Sequence, residues 1–186
     1  MENNSTLCLA PGILIAAPEL NDPNFHRSVI LMVEHDEKGA FGLVINRPME
    51  TTVTELLSPL KIQYTGSSDK RAFLGGPVGQ NHICFLHSSK YGWDATINVT
   101  DSINLSFSFE GLREIFEAAE EDFYVFVGSS GWGPSQLEAE MSKGTWFNHD
   151  ITPGLLFDTL PDRMWEQAFR SMGIDPNMIH TSYTVQ

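Results

Sequence analysis

The chain reads as an α+β protein, on three observations. Six short segments rich in Val, Ile, Leu and Phe are each bounded by Gly, Pro or Asp, which is the pattern of strands. A seventh segment, residues 102–109, alternates polar and apolar side chains. Helical periodicity is confined to a few stretches that mix in late, without the regular strand–helix alternation of a doubly wound sheet. A length of 186 residues suits one domain, taken as residues 1–186 with a loose head over 1–6.

In chain order, strands are predicted at residues 12–17, 28–34, 40–46, 71–75, 82–88 and 123–129. The run Val29-Ile30-Leu31-Met32-Val33 is apolar at every position, so its strand must be covered on both faces. Over 102–109, Ile103, Leu105, Phe107 and Phe109 alternate with Ser102, Asn104, Ser106 and Ser108, and one wet face is expected. A short helix is predicted over 52–58, where Thr52 and Glu55 have capping-box spacing. After Phe109, Leu112, Ile115, Phe116 and Ala119 recur at helical spacing, with Glu110, Glu114, Glu117, Glu120 and Glu121 around them. A helix over 134–142 takes Pro134 in its first turn and puts Leu137 and Met141 on one face. The last helix is the best marked: Asp162 as N-cap, then Trp165, Ala168, Phe169 and Met172, and Gly173 as the stop.

Eleven Lys and Arg against 24 Asp and Glu give a formal charge of −13, so the surface repels phosphate backbones and anionic lipid. Direct nucleic-acid binding and membrane association are therefore disfavoured. Cys8 and Cys84 form neither a metal pattern nor a disulfide framework, and a reducing cytoplasm is expected. The apolar run from Leu7 to Ala17 is broken by Pro11-Gly12 and has no Lys or Arg before it, unlike a signal peptide or a membrane span.

The most informative inference is geometric. His35-Asp36-Glu37-Lys38-Gly39 separates two apolar strands and should close a hairpin. If Glu34 pairs near Ala40, residue 28 lies opposite residue 46, and Arg27 and Ser28 meet Asn46 and Arg47 at the open end. Pro48 cannot extend that ladder. Two arginines meeting on so acidic a chain need negative charge between them. Asp22 and Glu19 could supply it as a structural ion-pair cluster; otherwise the site takes an anionic ligand.

Each of the other candidates has a structural alternative. Gly75-Gly76-Pro77 either lines an anion pocket with N–H donors or makes a tight turn. His82 and His87 differ by five positions and point to opposite faces, so they make no metal pair. His87, at a strand end, is either a proton-transfer group or a hydrogen-bonded structural histidine. Ser28 and His87 could be drawn into a hydrolase triad, yet no Gly-x-Ser-x-Gly elbow accompanies them. Trp132, in the Gly131-Trp132-Gly133-Pro134 turn, either meets a ligand or covers one end of the core with Trp146. No P-loop, dinucleotide fingerprint or paired-Cys site is present.

Several segments stand out together: Gly12-Ile13-Leu14-Ile15-Ala16, Asp22-Pro23, Arg27-Ser28-Val29, the run from Gly39 to Pro48, Gly75-Gly76-Pro77-Val78, Leu86-His87, Gly131-Trp132, Gln136-Leu137-Glu138 and Trp146. With these the chain resembles the YqgE/AlgH family of bacterial proteins, which carry a transcriptional-regulator label without an assigned chemistry. Ser135 stands where the family pattern has Gly. The resemblance covers nearly the full chain. It implies a branched, mixed β-sheet curled into a barrel-like shape with flanking helices. The helices carry no basic recognition face, which argues against direct DNA reading.

The expectation is a non-enzymatic cytoplasmic protein that binds an anionic small molecule or a protein partner. Its candidate ligand-binding residues are Arg27, Ser28, Asn46, Arg47, Gly75, Gly76, His87 and Trp132. No catalytic set, metal or cofactor is implied. Regulation of transcription, through DNA or another protein, is the second reading, and a hydrolase using Ser28 or His87 the third.

Overall fold

The structure is a computed structural model that describes residues 8–64, 66–67, 69–117 and 122–179. Ten strands form one branched, mixed sheet: β1 Gly12–Ala16, β2 Val29–Asp36, β3 Gly39–Val44, β4 Pro48–Thr52, β5 Arg71–Leu74, β6 Val78–Ser88, β7 Thr96–Thr100, β8 Ile103–Ser106, β9 Phe123–Trp132 and β10 Trp146–His149. The main path runs β10-β1-β2-β3-β9-β6-β8-β7, and β5 branches from β9, in parallel, to carry β4. The sheet is curled but not closed, since no pairing joins β10 to β7. Helices α1 Val53–Leu57, α2 Phe109–Glu117, α3 Gln136–Ser142, α4 Pro153–Phe157 and α5 Pro161–Ser171 flank it, with 3-10 turns at Ser58–Leu60 and Pro176–Met178.

The two-faced apolar strands are covered as the pattern demands. Val29, Leu31 and Val33 point into a core closed by α4 and α5, through Leu155, Leu156, Trp165 and Phe169. Ile30 and Met32 point the other way, into a second core with Leu14, Trp132, Leu137 and Trp146. Farther along the sheet, Phe85, Phe123 and Val125 form a third core with Val53 and Leu57 of α1 and Leu112, Ile115 and Phe116 of α2. Of the residues expected on the buried side of α2, Ala119 lies outside the described residues.

Several local rules hold to the atom. Thr52 caps α1 with a reciprocal Glu55 box. After α5, Gly173 takes φ +73°, its N–H donating to Arg170 O while Ile174 N–H reaches back to Phe169 O. Others differ. Helix α5 begins two residues earlier than expected: Leu160 is its N-cap and Pro161 fills its first position, so Asp162 sits in the first turn instead of capping it. Pro134 precedes α3, whose N-cap Ser135 adopts φ +60°, the left-handed conformation for which the family's Gly is suited.

The main correction concerns β8. Its polar face is dry: Asn104 and Ser106 are buried, beneath a loop carrying Tyr91 and Trp93. Periodicity reports that one face is polar, and cannot report that a later-packed loop covers it. Beyond the strand, Ser102 is exposed as expected, and the apolar Phe107 and Phe109 end up half exposed too.

Candidate functional site

At the hairpin turn Asp36 pairs with Gly39, His35 with Ala40 and Glu34 with Phe41, one position off the register assumed from sequence. A bulge between Met32 and Glu34 absorbs that residue, so Ile30 pairs with Val44 and the constant sum is recovered toward the open end. Residues 27–29 therefore do meet Asn46 and Arg47. Asn46 Oδ1 accepts the Val29 N–H at 2.9 Å, and its Nδ2 donates to Arg27 O at 2.9 Å. The side chain replaces the ladder where the strands part, and β4 turns away to pair with β5 at Pro48.

The two arginines have separate tasks. Arg47 is half-buried and donates to Asn24 O at 2.6 Å, to Pro23 O and His26 O at 3.3 Å, and to Ser28 Oγ at 3.4 Å. Desolvation draws its pKa below the usual arginine value, and the charge of Asp22 partly offsets this. It is a clamp on the loop over residues 22–28, a loop also folded by Asp22 Oδ1 accepting the Asn24 N–H. Arg27 is exposed, with its backbone at φ +51° and its guanidinium carbon 4.9 Å from the Trp165 ring centroid. No carboxylate pairs with it among the described residues.

The remaining sequence candidates are placed by packing. Gly75 N–H is taken by Val127 O, and Gly75 O accepts from Val44 N–H and Ser130 Oγ. A Cβ on Gly76, at φ +148°, would collide with the Ser129 carbonyl, so this glycine permits two backbones to touch. Ser28 is buried, its oxygen facing Arg47.

His87 is buried elsewhere, across from Asn104 on β8. Its Nδ1 lies 2.9 Å from Ser88 O, so Nδ1 carries the proton and Nε2 accepts from Ser106 Oγ at 2.8 Å. Ser106 in turn is 2.6 Å from Thr96 Oγ1, which accepts Trp93 N–H. Burial lowers the His87 pKa, partly countered by the Ser88 carbonyl. Its hydrogen bonds run to Ser88 and Ser106, and none runs to Ser28.

Trp132 is buried against Trp146 and Phe25, with ring centroids 6.0 Å and 6.3 Å away. Both indoles donate to one carboxylate oxygen, Glu140 Oε2, at 2.9 and 2.8 Å. Glu140 went unnoticed in the sequence, although its place on the helix after the Trp132 turn and six residues before Trp146 was the available signal. His35, read as part of a turn, also proves structural: Nδ1 accepts Leu9 N–H, and Nε2 lies 3.2 Å from Glu138. Among the described residues no three His, Cys, Asp or Glu side chains gather to hold a metal, and no helix is long and apolar enough to cross a membrane.

Comparison with known proteins supports the shape independently. The chain is 31% identical to the AlgH protein of Pseudomonas aeruginosa, whose solution structure superposes with a TM-score of 0.77 over 100% of both chains. A Corynebacterium diphtheriae crystal structure, 22% identical over 92% of this chain and 90% of that one, shares the fold with a TM-score of 0.72. A UPF0301 protein of Shewanella woodyi is 40% identical over 168 residues, covering 88% of this chain and 90% of its own. A UPF0301 protein of Vibrio parahaemolyticus is 35% identical over 178 residues, covering 92% and 95%. The AlgH-like family model matches residues 13–177. With ten strands in a curled, branched sheet and relatives aligned along almost its whole length, the chain belongs to the AlgH-like family.

Proposed function

We propose that this protein is a non-enzymatic binding protein that recognises an anionic group, on a small molecule or a protein partner, through Arg27 at the open end of the β2–β3 hairpin. One observation carries the reading. Arg27 holds a left-handed backbone, unfavourable for a residue with a Cβ, while its guanidinium lies on Trp165 without an acidic partner among the described residues. On a chain of charge −13, a cation kept exposed and oriented in this way suits a carboxylate or phosphate. Asn46 and Arg47 serve the same site indirectly, by fixing the loop that presents Arg27. The acidic surface disfavours duplex nucleic acid as the anion.

The test is a titration of isotope-labelled protein with inorganic phosphate, citrate and a capped Glu-Glu-Glu peptide at constant ionic strength, read by NMR. The reading expects saturable shifts at the Arg27 side-chain N–H and neighbouring amides with at least one probe, abolished in Arg27→Ala. Absence of saturable shifts with all three would overturn it.

A further inference from the structure

A second feature lies between β3, β5, β9 and the α4–α5 corner. A cavity of about 190 Å³ is lined by Ile45, Phe73, Leu156 and Met164, all buried, with the aromatic ring of Tyr124 between Phe73 and Phe157. An engineered apolar cavity of about 150 Å³ accepts benzene, so this one has room for a phenyl or branched aliphatic group. Leu160 belongs to the same lining yet is 61% exposed, one of the largest apolar exposures among the described residues. Leu160 thus carries the apolar lining out to the surface.

The charge around the pocket selects among occupants. Asp158 lines it and has no salt bridge among the described residues. The Tyr124 hydroxyl donates to Leu156 O at 3.2 Å and is therefore held in the lining. Burial raises its pKa, and the charges of Asp122 and Asp158 raise it further. No Lys or Arg lines the cavity. An apolar hole with a carboxylate, Asp158, in its lining complements an apolar group that carries positive charge beside it.

We infer that the pocket formed by Ile45, Phe73, Tyr124, Leu156, Leu160 and Met164 receives an aromatic or branched aliphatic side chain of a partner protein flanked by Lys or Arg, with Asp158 reading the flanking cation. Arg27 is not among the residues that line this pocket.

Three capped tripeptides, Lys-Phe-Lys, Glu-Phe-Glu and Lys-Ala-Lys, test it on the whole protein, with methyl NMR signals of Ile45, Leu156, Leu160 and Met164 as the readout. Lys-Phe-Lys is expected to shift these signals saturably and to bind at least fivefold more tightly than Glu-Phe-Glu, while Lys-Ala-Lys leaves them unmoved. Asp158→Asn should shrink the fivefold preference, and Leu160→Ser, at an exposed position, should weaken Lys-Phe-Lys binding without unfolding the domain. Arg27→Ala should change none of this, which separates failure here from failure of the anion reading. Equal response to Lys-Phe-Lys and Lys-Ala-Lys, no response to any peptide, or a preference untouched by Asp158→Asn would each overturn the inference.

Discussion

The guanidinium carbon of Arg27 lies 4.9 Å from the ring centroid of Trp165, joining the exposed loop before β2 to the buried face of α5. Trp165 is itself fixed, its indole N–H donating to Ala16 O at 2.8 Å. The platform under Arg27 is therefore tied to the β1 backbone. Such preorganisation reduces the entropy lost when a long side chain grips a ligand.

Asn46 should prove structural. Asn46→Ala leaves the buried Val29 N–H and the Arg27 carbonyl without partners, at a cost of about 2–3 kcal/mol in urea unfolding. Asn46→Asp keeps the acceptor for Val29 and loses only the donor to Arg27, so its midpoint should fall between wild type and Asn46→Ala.

Glu140 should hold the second core's aromatic cluster. Glu140→Ala strands two indole N–H groups, those of Trp132 and Trp146, and should cost about 2–4 kcal/mol with a red shift of tryptophan emission. Glu140→Gln retains one oxygen for the indoles but turns an amide donor toward Gln136 Nε2, which now donates to Glu140 Oε1 at 2.9 Å. Its loss should be smaller.

His87 should make the fold acid-sensitive. Its pKa is lowered in the folded state relative to an unfolded value of about 6.5, so the unfolded chain takes up the proton first as pH falls. The associated stability is fully present above about pH 6.5 and is lost as pH drops from there toward the depressed folded value, by at most about 1.4 kcal/mol per pH unit. Unfolding free energies at pH 7.5, 6.5 and 5.5 should converge for wild type and His87→Gln as pH falls, because the variant lacks this term.

The cysteines should differ in reactivity. Cys84 is buried and its thiol is pushed up to about 12, whereas Cys8 is exposed. A thiol reagent such as DTNB at pH 8 should modify one cysteine in the native protein and the second only on unfolding, and Cys8→Ser should show almost no native reaction.

Much of this was legible in the residues. The both-face apolar pattern of 29–33 required two covering layers, and the two cores on either side of β2 supply them. The hairpin arithmetic brought residues 27–28 to 46–47 even though its starting pair was wrong, because the bulge near Val33 compensated. What was not legible depends on contacts between distant segments. Strands β4 and β10 are short and polar or mixed, so they carry no clear periodicity of their own, while β7 alternates Ile97 and Val99 with Thr96, Asn98 and Thr100 over a run too short to stand out. The dry face of β8 depends on the Tyr91–Trp93 loop, and the division of labour between Arg27 and Arg47 depends on where the carbonyls of residues 23–26 point. Residue type announced a cation at each position, while only the fold decides which one is spent on the chain itself.

The most direct measurement is the urea midpoint of wild type, Arg27→Ala and Arg47→Ala at rising concentrations of the probe anion, with ionic strength held constant, since a ligand that binds only the folded state raises that midpoint. The account predicts that the wild-type midpoint climbs with the anion, that Arg27→Ala starts near wild type and stays flat, and that Arg47→Ala starts lower. A midpoint that climbs equally in wild type and Arg27→Ala, or in neither, would contradict it.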